Sequence, residues 1–266
     1  MRPHKRVKGV DYMSFLSRPL ILVLLICLSN STCCQPILFA QQSNTVPTVE
    51  AEFFEAIKKG DAQRVVLLIN QKPELLTVNT KNGTTAVLFA VFTNHKDIAE
   101  LLLARGIQPN IFEAAATGRT DLVRELLTQD PQSAKASSAD GWTALHLNWG
   151  NPRIAELLLK SGADIEAVSK NRFMATPLQS AVAAKWSEVA RFLISHGANV
   201  NCRGDAGFSP LHEAASSGQL EIARLLLDHG AKTDARTEDG KTPLAIAMEF
   251  KQQAIVSLLH GRKVTQ

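Results

Sequence analysis

The chain has 266 residues, of which 45% are hydrophobic and 20% charged, enough apolar material to bury a core and too much for a disordered polymer. Its formal net charge of +4 suggests a polyanion partner until the charges are placed. Residues 1–40 hold five of the 29 basic residues and one of the 25 acidic ones, so the remainder carries 24 of each, and nucleic-acid binding on charge grounds is excluded.

In chain order, the first element predicted is a leader. Basic Arg2, Lys5, Arg6, Lys8 and Arg18 precede the apolar run Leu20–Leu28, followed by small and polar residues. That run is about half of the roughly 20 residues that a membrane-spanning helix needs. The pattern is that of a secretory signal peptide over 1–40, with cleavage after Ala40 or near Ser29-Asn30-Ser31, and with Met13 as an alternative start. An uncleaved anchor, and lipid attachment at Cys33 or Cys34, are the competing readings. Cleavage after Ala40 leaves Cys202 as the single cysteine, which excludes an internal disulfide and a structural zinc site. Residues 41–49 read as a linker.

Residues 50–262 are repetitive. Thr176-Pro177-Leu178, Ser209-Pro210-Leu211 and Thr242-Pro243-Leu244 recur at a spacing of 33, and Thr143-Ala144-Leu145-His146 lies another 33 residues upstream. Proline is tolerated in the first turn of a helix, where its missing N–H has no partner to lose, and the preceding Thr or Ser caps that helix. Leu220, Ile222, Ala223, Leu225, Leu226 and Leu227 give the following helix a broad apolar stripe that only a stacked neighbour can bury. Gly218 and Gly230 suit the two helix ends.

The unit from Gly207 to Ala231 resembles the ankyrin repeat nearly position by position. That resemblance implies an all-α solenoid of about seven helix-turn-helix units with short β-turn tips, near 50–80, 81–110, 111–139, 140–170, 171–203, 204–236 and 237–262. Residues 263–266 form a polar tail. Units one and three share Phe54/Phe112, Gly60/Gly118 and Pro73/Pro131 at an offset of 58. Unit four has only Asn148 and Trp149 between Leu147 and Gly150, so its first helix is expected to be short by about half a turn. A break in regular curvature is expected around 111–175.

Catalytic signatures are absent. No glycine-rich phosphate loop or Gly-x-Ser-x-Gly occurs, and no histidine pair has metal-site spacing. No enzyme activity, cofactor or metal is therefore expected. His146 and His212 fall at the fourth position of the repeat motif, where the resemblance implies a structural imidazole bonding adjacent turns. It further implies a protein partner held by turn tips and the inner face of the first helices. Trp142, Phe208, Phe173, Arg172 and Lys241 stand at tips, and Phe92, Ser216 and Ser217 near first-helix ends. Trp142 and Phe208 are expected as exposed aromatic anchors, Trp149 as a filler of the shortened helix. A monomeric, exported scaffold in the periplasm or outside the cell is the leading expectation. An inhibitory, immunity-like partner of an exported enzyme and a small-ligand or glycan binder are the alternatives, the last requiring a pocket near the irregular units with Trp142 and Trp149 close together.

Overall fold

A computed structural model describes residues 48–263. They form thirteen α-helices: α1 (Val49–Lys59), α2 (Ala62–Gln71), α3 (Ala86–Phe92), α4 (Lys96–Ala104), α5 (Ile111–Ala116), α6 (Thr120–Gln129), α7 (Pro152–Lys160), α8 (Pro177–Ala183), α9 (Ser187–Ser195), α10 (Pro210–Ser217), α11 (Leu220–Asp228), α12 (Pro243–Glu249) and α13 (Gln253–Lys263). The leader lies outside the described residues. Thr48 caps α1, so the linker expected over 41–49 gives way to helix one residue earlier, and α13 carries one residue into the expected tail.

Each unit except the fourth is an antiparallel helix pair. Thr85, Thr176 and Thr242 accept the N–H three residues on, as their sequence positions predict, and Pro177, Pro210 and Pro243 open α8, α10 and α12. At the tips a hydroxyl closes the turn: Thr80 accepts from the Thr84 N–H, Ser138 from Trp142 and Thr237 from Lys241. First helices stack on one another more closely than second helices do, so the array curves with the first helices inside. Units one and three both continue into a 3-10 turn opened by Pro73 and Pro131, and both make one isolated bridge, Asn79 to Thr85 and Ser137 to Thr143, preserving the offset of 58 throughout.

Unit four departs further from the pattern than its sequence suggests. Its first helix is absent, not merely short: residues 144–147 and 149–150 are turns, with a bend at Asn148 between them. His146 and Leu147 donate to Thr143 and Ala144 three residues back, and then the Asn148 amide takes over. Its Nδ2 donates to Leu145 O at 2.7 Å and its Oδ1 accepts from the Gly150 N–H at 3.2 Å, competing with helical bonding. Pro152 holds Asn151 extended, and Trp149 (φ 49°) and Gly150 (φ 76°) reverse the chain between them. The apolar core falls into two clusters that part between units two and three. One runs from Phe53 to Leu103 and includes Trp142 and Leu147; the other runs from Ile111 to Leu259.

Candidate functional site

Removing one inner helix from a stack leaves space on its inner side. That space is a cavity of about 320 Å³. Leu88 and Phe92 of α3, Phe112 of α5, Trp142 and Leu147 of unit four, and Trp186 beyond α8 supply its apolar wall. The tip residues Asn82, Thr84 and Asp140 stand at its edge, and Ser180, at 5% exposure, contributes a hydroxyl that has no hydrogen-bond partner.

Trp142 is only 7% exposed, which corrects the expectation of an exposed anchor. Its ring stands edge-on to His146, centroids 5.1 Å apart at 90°, because the missing helix lets it fold inward. Gly141 makes this entry possible: it has φ 77°, and a Cβ there would lie 2.6 Å from the Lys170 nitrogen. Trp149 is half-buried, 5.8 Å from Trp186 at centroids and 4.8 Å beneath the Lys96 ammonium, and does not line the cavity. Trp149 thus pairs with Trp186, whose ring also covers Gly150, and not with Trp142 as the small-ligand or glycan alternative required.

The remaining tip and helix-end residues do not converge on one place. Phe92 joins Trp142 at the cavity. Phe173 is half-buried under the Arg172 guanidinium, 5.0 Å away, and Arg172 itself is exposed. Phe208 lies half-buried against His212 at 5.6 Å, which also corrects its reading as an exposed anchor. Lys241 pairs with Glu249 at 2.7 Å and Asp239 at 3.5 Å. Ser216 is buried and Ser217 half-buried, and both hydroxyls return to Glu213 O. Sequence reading missed Phe112, Leu147, Ser180 and Trp186; the two-residue deficit in unit four was the one signal pointing to them.

His146 and His212 hold adjacent units together, as expected. His146 Nδ1 accepts from the Thr143 N–H at 3.2 Å, which leaves Nε2 protonated to donate to Ala175 O at 3.0 Å. His212 repeats this with Ser209 and, at 3.1 Å, Lys241 O. Two further members of this ladder lie at the same spacing of 33 residues. Gln179 donates to Phe208 O at 3.1 Å, while Glu113 reaches backward, accepting from the Thr85 hydroxyl at 2.5 Å. Burial lowers His146 to about 4, keeping its ring neutral. Burial also pushes the Glu213 carboxyl up to about 7, and the half-buried Cys202 thiol up to about 11, which makes it a poor nucleophile. Among the described residues no group of three His, Cys, Asp or Glu side chains could hold a metal, and no helix is long and apolar enough to cross a membrane.

This geometry defines a helical-repeat solenoid, a class built to present surface. Residues 148–237 and 202–266 match the family described as ankyrin repeats (3 copies), and residues 82–113 match the single ankyrin repeat. The chain belongs to the ankyrin-repeat family. Similar proteins include the ankyrin repeat and SAM domain-containing protein 6 of Rattus norvegicus, 32% identical over 152 residues, and that of Mus musculus, 33% identical over 152 residues. Each match covers 56% of this chain and 14% of the relative. A transient receptor potential cation channel subfamily A member 1 homolog of Caenorhabditis elegans is 37% identical over 97 residues, covering 36% of this chain and 8% of that protein. The chain thus spans a small part of each relative's length.

Proposed function

We propose that the protein is an exported interaction scaffold, acting in the periplasm or outside the cell, that holds one protein partner along its tips and the inner face of its first helices. Ankyrin repeats in general mediate protein–protein interaction. The observation that carries the finer reading is the tip of unit five. There Arg172 is exposed, Met174 is 49% exposed with φ 44°, and the Phe173 ring lies beneath the guanidinium. A cation on an aromatic ring beside an exposed methionine is an anchor a partner can cover, since Arg and aromatic residues dominate binding hot spots. The leader supports export, and the balanced charge of residues 41–266 supports a protein partner over a polyanion.

Full-length tagged protein, expressed in its host, tests both parts. N-terminal sequencing of the envelope or secreted fraction should find a start at Gln41, or near Ser31; an intact leader in the cytosol would refute export. Capture beside an Arg172→Glu/Met174→Glu variant should retain a partner with wild type and lose it with the variant. Equal retention by both would remove the unit-five tip from the interface.

A further inference from the structure

The cavity over unit four has properties that a protein-binding surface does not need. Its volume of about 320 Å³ exceeds what any one side chain fills and falls within the range of small-molecule sites. Aromatic and aliphatic groups from units two to five enclose it: Leu88, Phe92, Phe112, Trp142, Leu147 and Trp186. No lysine or arginine lines it, and the single carboxylate, Asp140, stands half-exposed among the tip residues. Both ring nitrogens of His146 are already bonded, so that residue offers only its ring. Asn79, Asn82, Thr84, Thr85, Asn110 and Ser138 also line it, and Ser180 Oγ is the buried hydroxyl of the lining that has no partner. Buried hydroxyls are ordinarily satisfied, and an unmatched one lining a cavity is a group prepared for something that enters.

We propose that this cavity is a binding site for an uncharged, largely apolar small molecule that sets one oxygen or nitrogen against Ser180 Oγ. The apolar wall drives entry by burying ring or aliphatic surface. Ser180 fixes orientation, because a hydroxyl both donates and accepts. Anions are excluded, as no cation lines the wall and Asp140 repels them. Glycans are disfavoured: each sugar brings several hydroxyls, and most of the wall is apolar. The site exists because unit four lacks its first helix, so a regular unit at this point would have filled it.

The test uses 2-naphthol and its anionic counterpart 2-naphthoate as probes, titrated into the full chain while the indole N–H resonances of Trp142, Trp149 and Trp186 are followed. Naphthol should shift the Trp142 and Trp186 signals saturably, and naphthoate should bind at least about tenfold more weakly. Ser180→Ala should weaken naphthol by about fivefold, the scale of one neutral hydrogen bond. That variant should also keep or raise the melting temperature, since an unsatisfied hydroxyl is removed, which guards against a folding artefact. Ala184→Trp, at the wall, should abolish binding with helical circular dichroism unchanged. No saturable shift in the wild type, equal binding of both probes, or unchanged affinity in Ser180→Ala and Ala184→Trp would each overturn the proposal. So would loss of protein-partner capture in Ala184→Trp with naphthol inert, because the cavity would then belong to the partner's docking surface.

Discussion

Units five to seven and units three to four are built from the same motif and end as different objects. In the C-terminal block α8, α10 and α12 stack in register, and Gln179 and His212 each bond the carbonyl of the next tip at about 3.1 Å. A second ladder runs at the helix ends, where Gln219 donates to Val182 O and Gln252 to Ser216 O. Toward the middle both ladders change. Glu113 turns backward to Thr85, and between units four and five the helix-end bond gives way to Trp186 packed on Trp149 and Gly150. Two residues fewer in one unit therefore convert a polar, tightly matched contact into an aromatic-lined hollow. Repetition supplies stiffness, and a local fault in it supplies a site.

The comparison breaks first at the core. Leu226, fully buried in the regular block, should cost about 4 kcal/mol when replaced by Ala, whereas Leu147→Ala, already facing a cavity, should cost about 2 kcal/mol. Chemical denaturation gives both values, and equal costs would mean that the middle packs as densely as the end. The pH dependence comes next. His146 has a folded pKa of about 4 against about 6.5 unfolded, so the unfolded chain takes up its proton first as pH falls. Its stabilisation is present above pH 6.5 and is lost on descent toward pH 4, to a total of about 3 kcal/mol. His146→Gln, copying Gln179, should flatten that stretch of the stability curve. Glu213 runs the other way: its carboxyl, raised to about 7, favours the fold at low pH and loses that contribution as pH rises through 7, so Glu213→Gln should raise the melting temperature at pH 8 more than at pH 4.

Smaller changes sharpen the contrast. Gln179→Ala removes a donor from Phe208 O and the acceptor of the Thr176 N–H, for a cost of about 1–2 kcal/mol; no change in thermal unfolding would remove Gln179 from the ladder. Lys251 occupies a left-handed position (φ 56°) that glycine fills at Gly60, Gly118 and Gly218. Lys251→Gly should stabilise by up to about 1 kcal/mol, read as a rise in melting temperature.

Most of the fold was legible because its signals are local. Proline at a helix start, a hydroxyl before it and an apolar stripe each act within one unit, and the 33-residue spacing repeats them. Positions 113 and 179 could have been read from the same spacing as His146 and His212, but Glu and Gln do not resemble His until their bonding is seen. The site was less legible, because its cause is a competition. Whether Asn148 ends a helix or rides on its surface depends on Pro152 and on the room left for Trp149, and those terms are settled only in three dimensions. Trp142 was misplaced for the same reason. A residue at a tip has nowhere to bury itself unless the neighbouring helix is missing.

The divided core has a mechanical side. In a regular stack each unit leans on the next, and a pull along the array is shared among equal joints. Here the two buried clusters part between Leu103 and Ile111, so tension along the chain concentrates at the joint between units two and three. Stretched from its ends, the array should give way there first, parting into two segments that each keep their own buried cluster, as a spring with one weakened coil opens at that coil before the others lengthen.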